Sequence, residues 1–184
     1  MSQSIRIQLL GGFEFIIDGR VISNPLGKSR KSMALIEYLV MKRGEDISIP
    51  DLLREIWPDL NLAAPEKSLK TLISRLRVRL NKFFPGLCRC IVSRRGYYYW
   101  STLNGMTVDV LELLDLFDKI QVERDEAALH DAYRRIVMLY RGNLYMAEDL
   151  EKSRGYAREL HSQYLAAVHG WIDLLRKEIG RAHV

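Results

Sequence analysis

The hydrophobic period changes along this 184-residue chain, and that change restricts its possible folds more than any single motif. Ile5-Arg6-Ile7-Gln8-Leu9 alternates at period two, Gly11-Gly12 interrupts it, and Phe13-Glu14-Phe15-Ile16-Ile17 resumes it. Asp18-Gly19 is a strong hairpin turn, because both residues tolerate positive φ, and Val21-Ile22 follows as a third short strand. The pattern then becomes helical. Residues 32–43 place Leu35, Ile36, Leu39 and Val40 on one stripe, with Gly44 to stop the helix. Ser48 is the N-cap of a second helix, with Asp51 three residues on; Leu52, Leu53, Ile56 and Trp57 follow, and Pro58 ends it. Pro65 suits the first turn of a third helix running to about residue 84, where Pro85-Gly86 closes it. Residues 88–93 and 97–100 read as two strands around Arg94-Arg95-Gly96, a hairpin with positive charge at its tip.

Small sheet, three helices, hairpin is the order of a winged helix-turn-helix. From residue 108 onward the chain reads as helix only. Val110, Leu111, Leu114, Phe117 and Ile120 form one stripe, and Leu129, Ala132, Tyr133, Ile136, Val137 and Tyr140 a second, closed by Gly142. A longer helix over residues 153–179 sets Leu160, Tyr164, Ala167, Val168, Trp171, Ile172 and Leu175 on its buried side. The expected fold is thus an α+β winged helix-turn-helix over residues 1–103, followed by an all-α helical array over residues 104–184. Residues 102–107 form a joint short enough for the two parts to pack together.

Charge divides the chain at the same place. Residues 1–103 carry 17 Lys/Arg against 9 Asp/Glu, whereas residues 104–184 carry 11 against 14. No acidic residue stands between Glu66 and Asp109, a stretch with nine basic ones, so a polyanion is the natural partner of the first part. A solvated helix face is the plainer alternative. At 100° per residue, Leu69, Leu72, Ile73, Leu76, Leu80 and Phe83 share a core-facing wedge. Lys67, Thr71, Ser74, Val78 and Lys82 lie opposite, with Lys70 and Arg75 on the flanks. Short side chains between cations suit the major groove of DNA, since Thr and Ser keep the backbone near base edges while Lys and Arg reach guanine acceptors or phosphates. Trp57 either lies on the sugar-phosphate backbone or anchors the helix turn in the core. Arg94 and Arg95 are placed to enter an adjacent minor groove, where narrow A·T-rich stretches attract Arg.

These residues carry a family resemblance. Ser74-Arg75-Leu76-Arg77, followed by Ile91-Val92-Ser93-Arg94-Arg95-Gly96-Tyr97-Tyr98, resembles the helix-then-wing signature of OmpR/PhoB-type DNA-binding domains. Leu10-Gly11-Gly12-Phe13 and Asp18-Gly19 resemble the SARP-type activator branch, in which a bacterial transcriptional activator domain (BTAD) related to tetratricopeptide repeats (TPR) follows. Val108-Asp109 and Tyr140-Arg141-Gly142-Asn143-Leu144 look like that domain. The resemblance implies base contacts from Lys67, Ser68, Lys70, Thr71 and Arg75. It implies phosphate contacts from Trp57, Ser74, Arg77 and the wing, with Arg95 in the minor groove. It also implies promoter DNA with direct repeats, self-association on DNA and contact with RNA polymerase. The wing departs from the family's usual Arg-Gly-x-Gly-Tyr, and the helical part has about half the family's usual length. No receiver domain precedes the wing-bearing part, so aspartyl phosphorylation within this chain is not expected.

Other chemistries lack their parts. Gly27-Lys28-Ser29 would need a glycine at position 22 to make a phosphate-cradling loop, and Ile22 stands there. Cys88-x-Cys90 has no second Cys/His pair nearby to complete a zinc site, and His161 and His169 are too far apart to chelate one ion. No nucleophile–base–orienter set is present, so neither enzyme activity nor a cofactor is expected. No apolar stretch approaches the roughly 20 residues of a membrane span, and two cysteines make no disulfide framework, which places the chain in a reducing cytosol. The rival expectation is a protein-interaction module in which the helical array is the working surface and the winged helix no longer reads DNA.

Overall fold

In the computed structural model, which describes residues 4–59, 62–147 and 151–182, the period-two segments pair as their alternation requires. β1 (Ile5–Gln8) runs antiparallel to β2 (Glu14–Ile17), with Ile7 opposite Phe15, and β2 pairs with β3 (Arg20–Ser23). Asp18 and Gly19 both take positive φ, 47° and 82°, the mirror-image turn whose twist matches that of the strands it joins. Ile5, Ile7 and Phe15 point inward and are at most 2% exposed.

α1 (Arg30–Met41) is buried continuously from Ser32 to Val40, more than the single stripe expected, because other elements cover it on several sides. Arg43 and Gly44, at φ 49° and 85°, end it in left-handed backbone. The two-residue strand β4 (Ile47–Ser48), not foreseen from the sequence, leads into α2 (Ile49–Ile56), where Ser48 Oγ accepts from the Asp51 N–H at 3.2 Å as the capping pattern predicts. α3 (Pro65–Phe83) follows. Residues 88–93 are not a single strand. Leu87–Cys90 is a turn of 3-10 helix, and only Ile91–Arg94 (β5) is extended. The physical reason is the three-residue spacing of the fully buried Leu87 and Cys90, which shares a face in a tight helix and not in a strand. β5 pairs with β6 (Tyr97–Trp100), and β6 with β4, giving a three-stranded sheet with β6 in the middle.

β7 (Met106–Val108), also not foreseen, returns to the first sheet and pairs parallel to β1, giving the order β3-β2-β1-β7. A parallel neighbour requires a long crossover, and here everything from β2 to β6 lies between the two strands. Helices α4 (Asp109–Val122), α5 (Glu126–Leu139) and α6 (Glu151–Ala182) complete the chain, so a small N-terminal sheet in a mixed α+β part precedes a mostly helical part. Asp125 caps α5, its carboxylate accepting from the Ala128 N–H at 2.8 Å.

The two parts are tied by backbone as well as by packing. The buried carboxylate of Asp109, at the start of α4, accepts from the N–H groups of Leu9, Leu10 and Val110 at 2.7–3.1 Å. Leu10 bridges to Leu144, and the Tyr145 N–H donates to Leu9 O at 2.7 Å. Gly11 sits at φ 80° against residues 141–142, where a Cβ would lie 3.0 Å from Arg141 O. One buried cluster extends from Ile5 through α1 to Leu160 and Ala167 of α6. The buried side expected for α6 is corrected at two positions: Ile172 and Leu175 are each 39% exposed, because α5 covers a narrower arc of this long helix than the pattern implied. Among the described residues, no helix is long and apolar enough to cross a membrane.

Candidate nucleic-acid interface

α3 holds the site. Leu69, Ile73, Leu76 and Leu80 are at most 1% exposed, and Leu72 and Phe83 pack beside them partly buried, as the wedge required. This anchoring leaves Lys67, Lys70, Thr71, Ser74, Arg75, Val78 and Lys82 exposed on the opposite side. Ser29 and Lys31 at the start of α1, together with Trp57 at the end of α2, rise beside them. The result is a concave face of about 860 Å³ that includes Trp57, Lys67, Ser68, Thr71, Ser74, Arg75, Val78 and Lys82. Lys67 and Lys82 are separated by about 22 Å along the helix at 1.5 Å per residue, with the short side chains of Thr71, Ser74 and Val78 between them. Among the described residues, no acidic group pairs with Lys67, Arg75 or Lys82. Lys70 has only Glu66, one turn back at 4.0 Å.

Trp57 anchors the helix turn while keeping one side on the concave face. It is half-buried against the core and also lines the concave face. Other cations are committed to holding the face in place. Arg77 donates to Ile91 O at 2.7 Å, fastening α3 to β5, and Arg79 donates to Leu26 O at 2.7 Å. Lys31 Nζ donates to Ile56 O at 2.6 Å, a cation on the carbonyl end of α2. Ser68 is turned back on its own helix, its Oγ donating to Ala64 O at 3.1 Å. The sequence of α1 carries no local signal for Ser29 and Lys31, whose place on this face arises only from how α1 packs against α2 and α3.

The hairpin carries the other two expected residues. Arg95 and Gly96, at φ 48° and 85°, form its tip, and Arg95 is exposed with no acidic partner among the described residues. Arg94 is differently placed. Its Nη2 lies 2.7 Å from Asp46 Oδ2, its guanidinium is 5.7 Å from the Tyr99 ring centroid, and the Asp46 carboxylate raises its pKa further. Asp46 had no signal in the sequence, since 48 residues separate it from Arg94. Chemically, the α3 face and the hairpin tip offer cations and hydroxyls in excess of carboxylates, with Glu66 beside Lys70 and Asp46 beside Arg94, an arrangement suited to a polymer of phosphates.

The remaining reactive groups do not converge. Cys88 and Cys90 are free thiols, and burial pushes the Cys90 thiol up to about 12, far from reactive. His161 Nδ1 is hydrogen-bonded to the Tyr140 hydroxyl at 2.9 Å. Among the described residues, no group of three or more His, Cys, Asp or Glu is arranged to hold a metal ion.

No protein-family model matches the chain, and no curated protein matches it. Among solved structures it is similar to EmbR of Mycobacterium tuberculosis, determined in complex with a low-affinity phosphopeptide. The TM-score is 0.71 at 20% sequence identity, over 90% of this chain and 44% of the EmbR chain. The chain therefore spans less than half the length of EmbR, and the two share a fold across nearly all of it.

Proposed function

We propose that this protein is a sequence-specific double-stranded DNA-binding transcription regulator of the SARP type. Residues 1–103 act as an OmpR/PhoB-type winged helix-turn-helix, and residues 104–184 as a short TPR-like bacterial transcriptional activator domain. The observation that carries this reading is the exposed face of α3, where Lys67, Thr71, Ser74, Arg75 and Lys82 stand together with no opposing carboxylate among the described residues. α3 lies in the major groove, with Thr71, Ser74 and Arg75 at base edges and the lysines at either end on phosphates. Trp57 approaches the backbone, Arg77 braces α3 against β5 through Ile91 O, and Arg95 enters the adjoining minor groove. The protein works by recruitment rather than catalysis: neighbouring protomers on direct repeats, and RNA polymerase, dock on its surface. The fold shared with EmbR supports the architecture on which this rests.

Selection of binding sites from random duplex DNA tests it, with an Arg75→Ala/Arg95→Ala variant in parallel. The expected result is a short motif, repeated at about one helical turn and lost in the variant. Absence of enrichment, with weak binding that disappears as salt rises, would overturn it. A protein-docking role for the helical part has its own support: Leu165, Ile172, Leu175 and Ile179 leave an apolar stripe on α6, each 39–59% exposed. That role is compatible with DNA reading by the first part, and it replaces DNA reading only if the selection fails.

A further inference from the structure

The two arginines of the hairpin differ in a way that adjacency in sequence conceals. Arg94 is the last residue of β5 and pairs with Tyr97 of the middle strand β6, which on its other edge pairs with Ser48 of β4. Asp46 stands just before β4. To come within 2.7 Å of Asp46, the Arg94 side chain crosses β6, passing over the ring of Tyr99. The ion pair thus straps one edge of the three-stranded sheet to the other. Both partners are exposed, 62% and 38%, and such pairs contribute little to stability, so holding the fold together is a poor account of it. The strap ends one residue before the tip, where Arg95 projects with its φ at 48°.

We propose that the Asp46–Arg94 bridge is an aiming device, with Arg94 a positioning residue that fixes the hairpin's angle so that Arg95 enters the minor groove. The proposal rests on the DNA-reading function above and adds a role for Asp46, an acidic residue beside a DNA-binding tip. A carboxylate there is otherwise a liability, because it competes with phosphate for the same guanidinium.

The test uses the full chain and two duplexes that share the selected site but place A·T or G·C pairs under the hairpin. Wild-type protein is expected to prefer the A·T duplex by tenfold or more. Arg95→Ala abolishes the preference and reduces the magnitude of the log–log salt slope by about 0.9. Asp46→Asn and Arg94→Asp each reduce the preference several-fold without changing the melting temperature. The double swap Asp46→Arg/Arg94→Asp, which rebuilds the bridge with its charges exchanged, restores it. A double swap that stays defective would overturn the proposal. So would an Asp46→Asn protein that binds more tightly with a steeper salt slope, since Asp46 would then be withholding Arg94 from DNA. Wild-type protein that binds the site without flank preference removes the hairpin from the minor groove. Wild-type protein that binds neither duplex contradicts DNA reading itself, a failure visible before any variant is made.

Discussion

At the scale of single residues, the proposed function divides the exposed side of α3 into readers and anchors. Thr71→Ala and Arg75→Ala are expected to shift preference among sequences by about 1–3 kcal/mol at the base pair each faces, whereas Lys82→Ala weakens all sequences alike. Quantitative binding to a panel of single-base variants distinguishes the two patterns, and equal small losses from all three would contradict the groove assignment. Which residues lie on this face was legible because a helix repeats its own geometry: the wedge of Leu69, Ile73, Leu76 and Leu80 fixes what must be outside. Which cations are already engaged was not legible. Arg77 is spent on Ile91 O and Arg94 on Asp46, partners 14 and 48 residues away that no local pattern announces.

Glu37 gives a separate prediction at the same scale. It is 1% exposed on α1, its Oε1 lacks a hydrogen-bond partner among the described residues, and Glu55 of α2 lies near it, itself paired with Lys152 Nζ at 3.3 Å. Burial pushes the Glu37 carboxyl from 4.5 up to about 7, Glu55 adds to the rise, and Ser153 and the Ala147 N–H offset part of it. A carboxyl that binds its proton more tightly when folded stabilises the fold most below its unfolded value, and loses that contribution as pH rises through the folded one. Between about pH 4.5 and pH 7–8 the wild-type chain should therefore lose roughly 3 kcal/mol relative to Glu37→Gln. Urea denaturation of both proteins across that range checks it, and parallel pH profiles would refute it.

At the scale of elements, long runs were legible and short pairings were not. α3 and the Asp18-Gly19 turn follow directly from period and turn chemistry. β4 and β7, of two and three residues, carry no periodic signal; they exist because β6 and β1 offer unpaired edges. Leu87–Cys90 is a 3-10 turn rather than the start of a strand, because the burial that decides the matter belongs to Leu87 and Cys90, three residues apart. Asp109 binds these elements together. Asp109→Ala leaves the N–H groups of Leu9 and Leu10 without their acceptor, and is expected to cost about 2–4 kcal/mol. Asp109→Asn, which keeps one acceptor oxygen, costs less. Thermal denaturation ranks the two, and an alanine variant as stable as wild type would show that this junction contributes nothing.

At the scale of the whole molecule, the split in charge between the two parts coexists with one continuous core. β7 lies beyond residue 103 yet completes the N-terminal sheet, and Leu144 returns to pair with Leu10. On the proposed function, DNA bound at α3 would be coupled through this shared core to the helical surface, the property that recruitment of a second protein requires. The central claim is that the α3 face and the hairpin neutralise DNA phosphates while reading bases, and salt titration of binding to the selected duplex tests it most directly. With roughly six phosphate contacts at about −0.9 each, log K against log salt should fall with a slope near −5. The affinity should also exceed that for a scrambled duplex by 10³-fold or more. A slope near zero, or equal affinity for both duplexes at every salt concentration, would contradict it.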